Sequence, residues 1–231
     1  MEIKKLPTGS PLDKLLQGGI EFGTVTNIYG PAGSGKTNIA LSTLMNCKNK
    51  IIYIDTEGSF SLERFQQLGG DEKKLKNIIF IEPENWQEQH FAIQSMNKIF
   101  HKEKIDLVII DSMVALYRLE LSNENFPSIN RQLATQYSIL SNIARKYSVP
   151  ILVTNQVYSS FEERDKVNMV GGDLLKYSSK CLIELEKYAS GIRAVTIKKH
   201  RSIPEGKSMK FKIINSGIEG LELAKTTETA K

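Results

Sequence analysis

The stretch VTNIYGPAGSGKTNIALSTLM, residues 25 to 45, constrains the fold of this chain more than any other. Val25 to Tyr29 is an apolar run of strand length, and the residues after Thr37 read as a helix. Between the two runs Gly30-Pro-Ala-Gly-Ser-Gly-Lys36-Thr37. Glycine at these positions lets successive backbone N–H groups curl around phosphate oxygens, because no Cβ blocks the approach. Strand, glycine loop and helix together are the setting in which such a loop holds a nucleotide. Gly30, Pro31, Ala32, Gly33, Ser34, Gly35, Lys36, Thr37 and Asn38 are therefore the candidate ATP-binding residues. Lys36 supplies a cation to the terminal phosphates, and the Thr37 hydroxyl is placed to hold Mg2+. A purely structural glycine turn is the competing reading, and the flanking strand and helix weigh against it.

The rest of the chain repeats the alternation. Apolar runs at Ile51 to Asp55, Ile78 to Ile81, Leu107 to Asp111 and Ile151 to Thr154 are further strands. Helical patterns separate them, one through Trp86, Ala92, Ile93, Met96, Ile99 and Phe100, another through Leu133, Tyr137, Leu140, Ile143 and Ala144. Alternation of this kind gives an α/β fold, a mostly parallel twisted sheet flanked by helices, with the carboxyl ends of the strands along one edge. Cys181 to Glu186, Arg193 to Lys198 and Lys210 to Ile214 are joined by glycine-containing turns and read as an antiparallel C-terminal extension. Residues 1–23 form a short lead-in with a helix on Leu12, Leu15 and Leu16, residues 24–225 a single domain, and residues 226–231 a loose tail. Residues 158–173 are polar, end in Gly171-Gly172, and are expected to form a long loop that orders when something binds.

Within that frame several side chains acquire a chemistry. Asp111 ends an apolar strand at the edge that carries the phosphate loop, where it can orient magnesium or its water, with Ser112 supporting that geometry, or can instead cap the next segment. A carboxylate just beyond the neighbouring strand can activate water beside a terminal phosphate, and the turn starting near Gly58 could project Glu57 outward for this; a turn or helix-capping carboxylate is its competing role. Asp55 divides evenly between magnesium-side support and local hydrogen bonding. Gln156, at another strand end, can sense a γ-phosphate and pass that state into the following loop, or simply satisfy the loop backbone.

At 231 residues one domain is expected, and 31 Lys and Arg against 26 Asp and Glu leave a charge of +5. That excess favours polyanions without identifying one. Cys47 and Cys181 are far apart and form no metal motif, which suits core residues of a reducing compartment. With no signal-like segment and no run long enough to span a bilayer, a cytoplasmic protein with no membrane contact is expected. His90 and His101 have no ligand set around them, and Trp86 is placed to anchor a helix start.

The ordered series TGSPLDKLLQGGIEFGTVTNIYGPAGSGKTNIAL, YIDTEGSFSLERF, LVIIDS, RQLATQYSILSNIARKYSVPILVTNQV and GGDLLKYSS resembles the RecA/Rad51/RadA recombinase family over nearly the whole chain. The resemblance implies a RecA-like P-loop ATPase core in which Glu57 activates water and Gln156 leads into a DNA-facing loop. It implies DNA-facing segments at about Arg118 to Asn130 and Tyr158 to Asp173; beside these, the basic stretch from Lys198 to Lys212 can anchor phosphates by its charge density, and Arg118, Arg131, Tyr158, Arg164, Lys207 and Lys210 are the candidate DNA contacts. The core motifs begin almost at once, and no upstream aromatic–alanine docking linker is evident, which points to the family's short archaeal branch. That branch implies a DNA repair and recombination accessory protein, nucleoid-associated, that binds ATP and single-stranded or branched DNA. It implies weak ATP hydrolysis, little strand exchange, recombinase or junction-processing partners and an open question of homo-oligomerisation. Lys198-Lys199-His200-Arg201 is also similar to the basic finger of KaiC-like ATPases and replicative helicases. Lys199 and Arg201 could accordingly reach a neighbour's nucleotide in trans, reach DNA, or stay at a solvated surface, with His200 a spacer. Other functions compatible with the residues are a KaiC-like regulatory ATPase, a non-catalytic recombination mediator and a small-molecule phosphotransferase.

Overall fold

The computed structural model describes residues 3–122, 124–159, 167–169 and 179–221, and for residues 158–159 and 167–169 the backbone alone. In the lead-in, β1 (Lys5–Leu6) pairs antiparallel with β2 (Ile20–Glu21) around the one-turn helix α1 (Leu12–Leu15). Leu6, Leu12, Leu16 and Ile20 are buried in the same cluster as the helix that follows the glycine loop.

β3 (Val25–Gly30) is buried along its length and feeds through the glycine loop into α2 (Lys36–Met45). Then follow β4 (Lys50–Asp55), α3 (Leu62–Gln67), α4 (Glu72–Leu75), β5 (Ile78–Ile81), α5 (Trp86–Phe100), β6 (Ile105–Asp111), α6 (Ala115–Glu120), α7 (Phe126–Tyr147) and β7 (Ile151–Ser159). The chain continues through β8 (Val167–Met169), β9 (Cys181–Lys187), β10 (Ile192–Lys199), β11 (Ser208–Ile214) and β12 (Gly217–Leu221). Apart from the separate β1–β2 pair, and β8, which pairs with β7 off this path, the strands form one sheet in the order β12-β11-β10-β9-β3-β7-β6-β4-β5. Every pair from β9 through β5 is parallel, and β9 to β12 are antiparallel. The expected architecture is thus found, with β12 as an added edge strand that the sequence reading did not separate.

Period-two alternation splits each central strand between two cores. Ile52, Ile54, Val108 and Ile110 pack beneath α5 and α7, whereas Ile51, Tyr53, Leu107 and Ile109 face the layer that holds α2 and Phe65. Each fully buried Leu or Ile contributes about 1.5–3 kcal/mol, which makes the sheet a rigid base for what its edge carries. Trp86 is completely buried where α5 starts. Asn85 caps that helix by accepting from Glu88 N–H at 2.9 Å, and the Trp86 indole N–H donates to Gln132 Oε1 at 2.7 Å. Cys47 and Cys181 are free, buried thiols, pushed up to about 12 by burial, in agreement with a core role.

Two expectations change. The strand expected to end at Thr154 runs to Ser159, and Val157 to Ser159 pair antiparallel with Met169 to Val167. Part of the segment read as a long loop is therefore a β-ribbon; the remainder, Arg164 included, and the Tyr158 side chain lie outside the described residues, as does the expected tail. The first segment read as DNA-facing is largely helical, being the end of α6 and the first turn of α7, with Pro127 suited to a helix start. Among the described residues no helix is long and apolar enough to cross a membrane.

Candidate active site

Parallel pairing brings four strand ends to one edge: the register sets Gly30 opposite Gln156 and Asp55 opposite Asp111. Gly30 leads into the loop with no room for a side chain, since a Cβ there would lie 2.4 Å from the Leu185 carbonyl oxygen. Gly35 has φ 107°, open to glycine at little cost, and as the N-cap of α2 it offers no side-chain cap. The first-turn N–H groups of α2 are thereby left for an outside acceptor, at the positive end of the helix. Ser34 Oγ is buried in the loop without a hydrogen-bond partner among the described residues. An orphaned hydroxyl, uncapped amides and a glycine cradle fit a polyphosphate. Lys36, 9% exposed, donates to the carbonyl oxygens of Gly30 and Pro31 at 2.9 Å each. Burial lowers its pKa, against the pull of Asp111 and Glu57.

The two residues expected to hold magnesium touch. Thr37 Oγ1 donates to Asp111 Oδ2 at 2.7 Å, and that oxygen also accepts from Tyr53 and Ser59 hydroxyls at 3.1 Å each. The Thr154 hydroxyl donates to Asp111 Oδ1. A carboxylate this buried needs such donors. The Tyr53 phenol, fully buried against it, is pushed well above its ordinary pKa by burial and then by the Asp111 charge. A cluster of hydroxyls around one carboxylate is oxygen-rich and hard, the donor set that magnesium takes.

Glu57 is exposed and projects into the same region, its carboxylate gripped at both oxygens. Ser112 Oγ donates to Oε1 at 2.5 Å and Gln156 Nε2 donates to Oε2 at 2.9 Å. Ser112 thus serves Glu57 and not Asp111, the residue it was expected to support. Asp55 takes the local alternative: Oδ1 accepts from the N–H groups of Glu57 at 3.2 Å and Ser59 at 3.0 Å, and Oδ2 from Phe60 N–H at 2.9 Å. It builds the turn that aims Glu57. Thr56 locks that turn to the next strand end, donating to the Ser112 carbonyl at 2.7 Å and accepting from Ser112 N–H at 2.9 Å. A cleft of about 460 Å3 opens beside Glu57 and Gln156, with Arg118 and Leu119 on its far wall.

The remaining candidates spread out. Arg131 is exposed on α7, Lys207 lies in the β10–β11 turn, and Lys210, on β11, sets its ammonium 5.9 Å from the Tyr188 ring centroid. Lys207 and Lys210 do not join Arg118 in one stripe, because β9, β3 and β7 separate β10 from β6. Lys199 ends β10 half-buried. Arg201 pairs with buried Glu21 at 2.6 Å, and His200 Nε2 stands 3.8 Å from the other oxygen of that carboxylate. The basic segment is therefore fastened to the lead-in. Sequence reasoning missed two arginines. Arg64 donates to Asn38 Oδ1 at 2.6 Å and to the carbonyls of Ile214, Asn215 and Gly217, stitching the phosphate-loop helix to the β11–β12 turn. Arg193 donates to the Gly33 carbonyl at 3.2 Å. Nothing in the local sequence around either residue marks it, since both contacts depend on tertiary pairing.

The profile of the Rad51 family matches residues 1–221. The chain is similar to the DNA repair and recombination protein RadB of Methanosphaera stadtmanae, 48% identical over 222 residues that cover 92% of this chain and 94% of that protein. It is also similar to RadB of Methanobrevibacter smithii, 43% identical over 93% of this chain and 95% of that protein. A crystal structure of the RadB recombinase superposes with a TM-score of 0.81 at 36% identity, covering 94% of this chain and all of that one. The chain belongs to the Rad51 family.

Proposed function

We propose that this protein binds ATP with magnesium, turns it over slowly, and couples the phosphate state to DNA or partner-protein contacts in DNA repair and recombination. The observation that carries the proposal is the convergence of the Thr37–Asp111 pair with a Glu57 carboxylate held by Ser112 and Gln156. The repair and recombination setting is taken from the names of its RadB relatives.

Lys36 and the loop N–H groups hold the phosphates, and Thr37 with Asp111 holds the metal ion. Magnesium, when bound, neutralises charge on the transferring phosphoryl group. Glu57 orients the attacking water. Ser112 and Gln156 fix the direction of its carboxylate, and each oxygen keeps a second lone pair with which to take the proton. Among the described residues an isolated protomer brings no second cation to the γ-phosphate, so turnover is slow and assembly with another copy or with a recombinase would raise it. Gln156 carries any movement of Glu57 into the ribbon that begins at Val157. Single-stranded or branched DNA is contacted through Arg118, Arg131, Lys207 and Lys210, together with Tyr158 and Arg164, with little strand exchange and a location at the nucleoid. Lys199 and Arg201 serve DNA phosphate or a neighbour's nucleotide, Arg201 as a guanidinium fixed by Glu21.

The test is the salt-dependent affinity for single-stranded and branched DNA, by anisotropy, with and without a magnesium–ATP analogue. The analogue should change wild-type affinity several-fold and leave Lys36→Ala unaffected. Identical affinity in every condition would remove the coupling, and fast phosphate transfer to a small acceptor without DNA would replace it with a phosphotransferase.

A further inference from the structure

The C-terminal antiparallel strands reach the phosphate loop from outside the parallel sheet. Arg193 on β10 donates from Nε to the Gly33 carbonyl at 3.2 Å and from Nη1 to the Gly191 carbonyl at 2.8 Å. Its guanidinium thereby bridges the loop and the β9–β10 turn. Its stem lies against the start of α2, where a Cβ on Gly35 would meet Arg193 Cδ at 3.7 Å and Ile213 Cδ1 at 3.2 Å. Lys187 is its cross-strand partner on β9 and brings its ammonium to the same flank, 3.4 Å from where a Cβ on Gly33 would sit. Among the described residues neither cation forms an ion pair.

We propose that Arg193 is a positioning residue for the phosphate loop, with Lys187 as a second cation on its flank, so that nucleotide affinity depends on the β9–β10 hairpin. This rests on the ATP-site reading given above. A loop that turns its N–H groups inward turns carbonyls outward, and those carbonyls need donors. Here Lys36 serves Gly30 and Pro31, and Arg193 serves Gly33. Lys36 has one donor left for a phosphate, and if it gives up either carbonyl to reach one, Arg193 still holds the loop from the other side. Gly33, at φ 71°, stays in the conformation that keeps the neighbouring N–H groups converging. The uncompensated charges of Arg193 and Lys187 also raise the positive potential where an anion is to bind. The fork matters as well, because two carbonyls on separate segments are met by different nitrogens of one rigid group, which a lysine cannot reproduce.

The experiment is equilibrium binding of a fluorescent, non-hydrolysable ATP analogue with magnesium to the full chain, paired with thermal unfolding in the absence of nucleotide. Arg193→Ala should weaken binding about tenfold, the loss of one charge-assisted hydrogen bond with its positioning. Arg193→Lys should fall between Ala and wild type, and Lys187→Ala should weaken binding roughly threefold, less so at high salt. At saturating ATP the Arg193→Ala protein should keep kcat within about twofold while KM rises, as expected when uniform binding is lost. Unchanged affinity in Arg193→Ala, with wild type binding normally, overturns this inference and leaves the ATP reading standing. Failure of wild type to bind overturns both. Weakened binding that comes with an equally lowered unfolding midpoint in both Arg193 variants assigns the residue a merely structural role and also overturns it.

Discussion

If the grip on Glu57 sets hydrolysis, the losses from removing its two donors should not multiply. Ser112 is 1% exposed and its hydroxyl donates at 2.5 Å, whereas Gln156 donates at 2.9 Å from a water-accessible position. A hydrogen bond to a charged acceptor contributes about 1.5–3 kcal/mol, with the upper half expected where water is excluded. At 1.36 kcal/mol per tenfold, Ser112→Ala should slow turnover roughly 30- to 100-fold and Gln156→Ala roughly tenfold. The carboxylate rotates once either side is free, so the double variant should be slowed about 100-fold, well short of the product of the two. The assay is magnesium-dependent phosphate release at saturating ATP, with binding of a non-hydrolysable analogue measured alongside. Binding should hold within about twofold, because neither side chain belongs to the phosphate loop. Losses that multiply, or a Ser112→Ala protein as fast as wild type, would refute the reasoning.

Two further outcomes follow from buried groups. Tyr53→Phe removes one donor to Asp111 without changing volume and leaves three hydroxyls in place. It should cost about 1–2 kcal/mol in denaturant unfolding with an unchanged m-value, and a cost near zero would mean that the bond adds nothing. Burial lowers the pKa of His200 below its ordinary 6.5, with Glu21 opposing. The unfolded chain therefore takes up a proton there before the folded one does, so this contribution to stability is complete above pH 6.5 and is lost as pH falls toward the lowered value. His200→Gln should flatten the acid limb of stability against pH in that window; an unaltered limb would contradict the burial argument.

Residues whose placement depends on a local pattern were legible in the sequence. The phosphate loop, Asp111, Glu57 and Gln156 each lie at the end of an apolar run, and parallel pairing delivers every such end to one edge. The division of labour among adjacent polar residues was less legible. Asp55 and Ser112 both sit at strand ends, and only the course of the Gly58 turn decides that one shapes backbone while the other grips Glu57. Arg64 and Arg193 were invisible, for their partners lie as far as 153 and 160 residues away across a sheet whose register no local motif encodes. The pairing of Arg201 with Glu21 belongs to the same class, and it turned a finger read as free into one fastened to the lead-in. β8 and the end of β7 escaped because three residues on each side, set within a polar and charged segment, are too few to show the alternation that marks a half-buried strand.

The central claim is that Glu57 acts on water beside a nucleotide held by the phosphate loop. It is tested most directly by single-turnover ATP hydrolysis of wild type and Glu57→Gln at matched nucleotide occupancy and matched assembly. The account predicts equal binding with hydrolysis slowed at least about 100-fold in the variant, the scale of a general base. Equal rates of hydrolysis in the two proteins would contradict it.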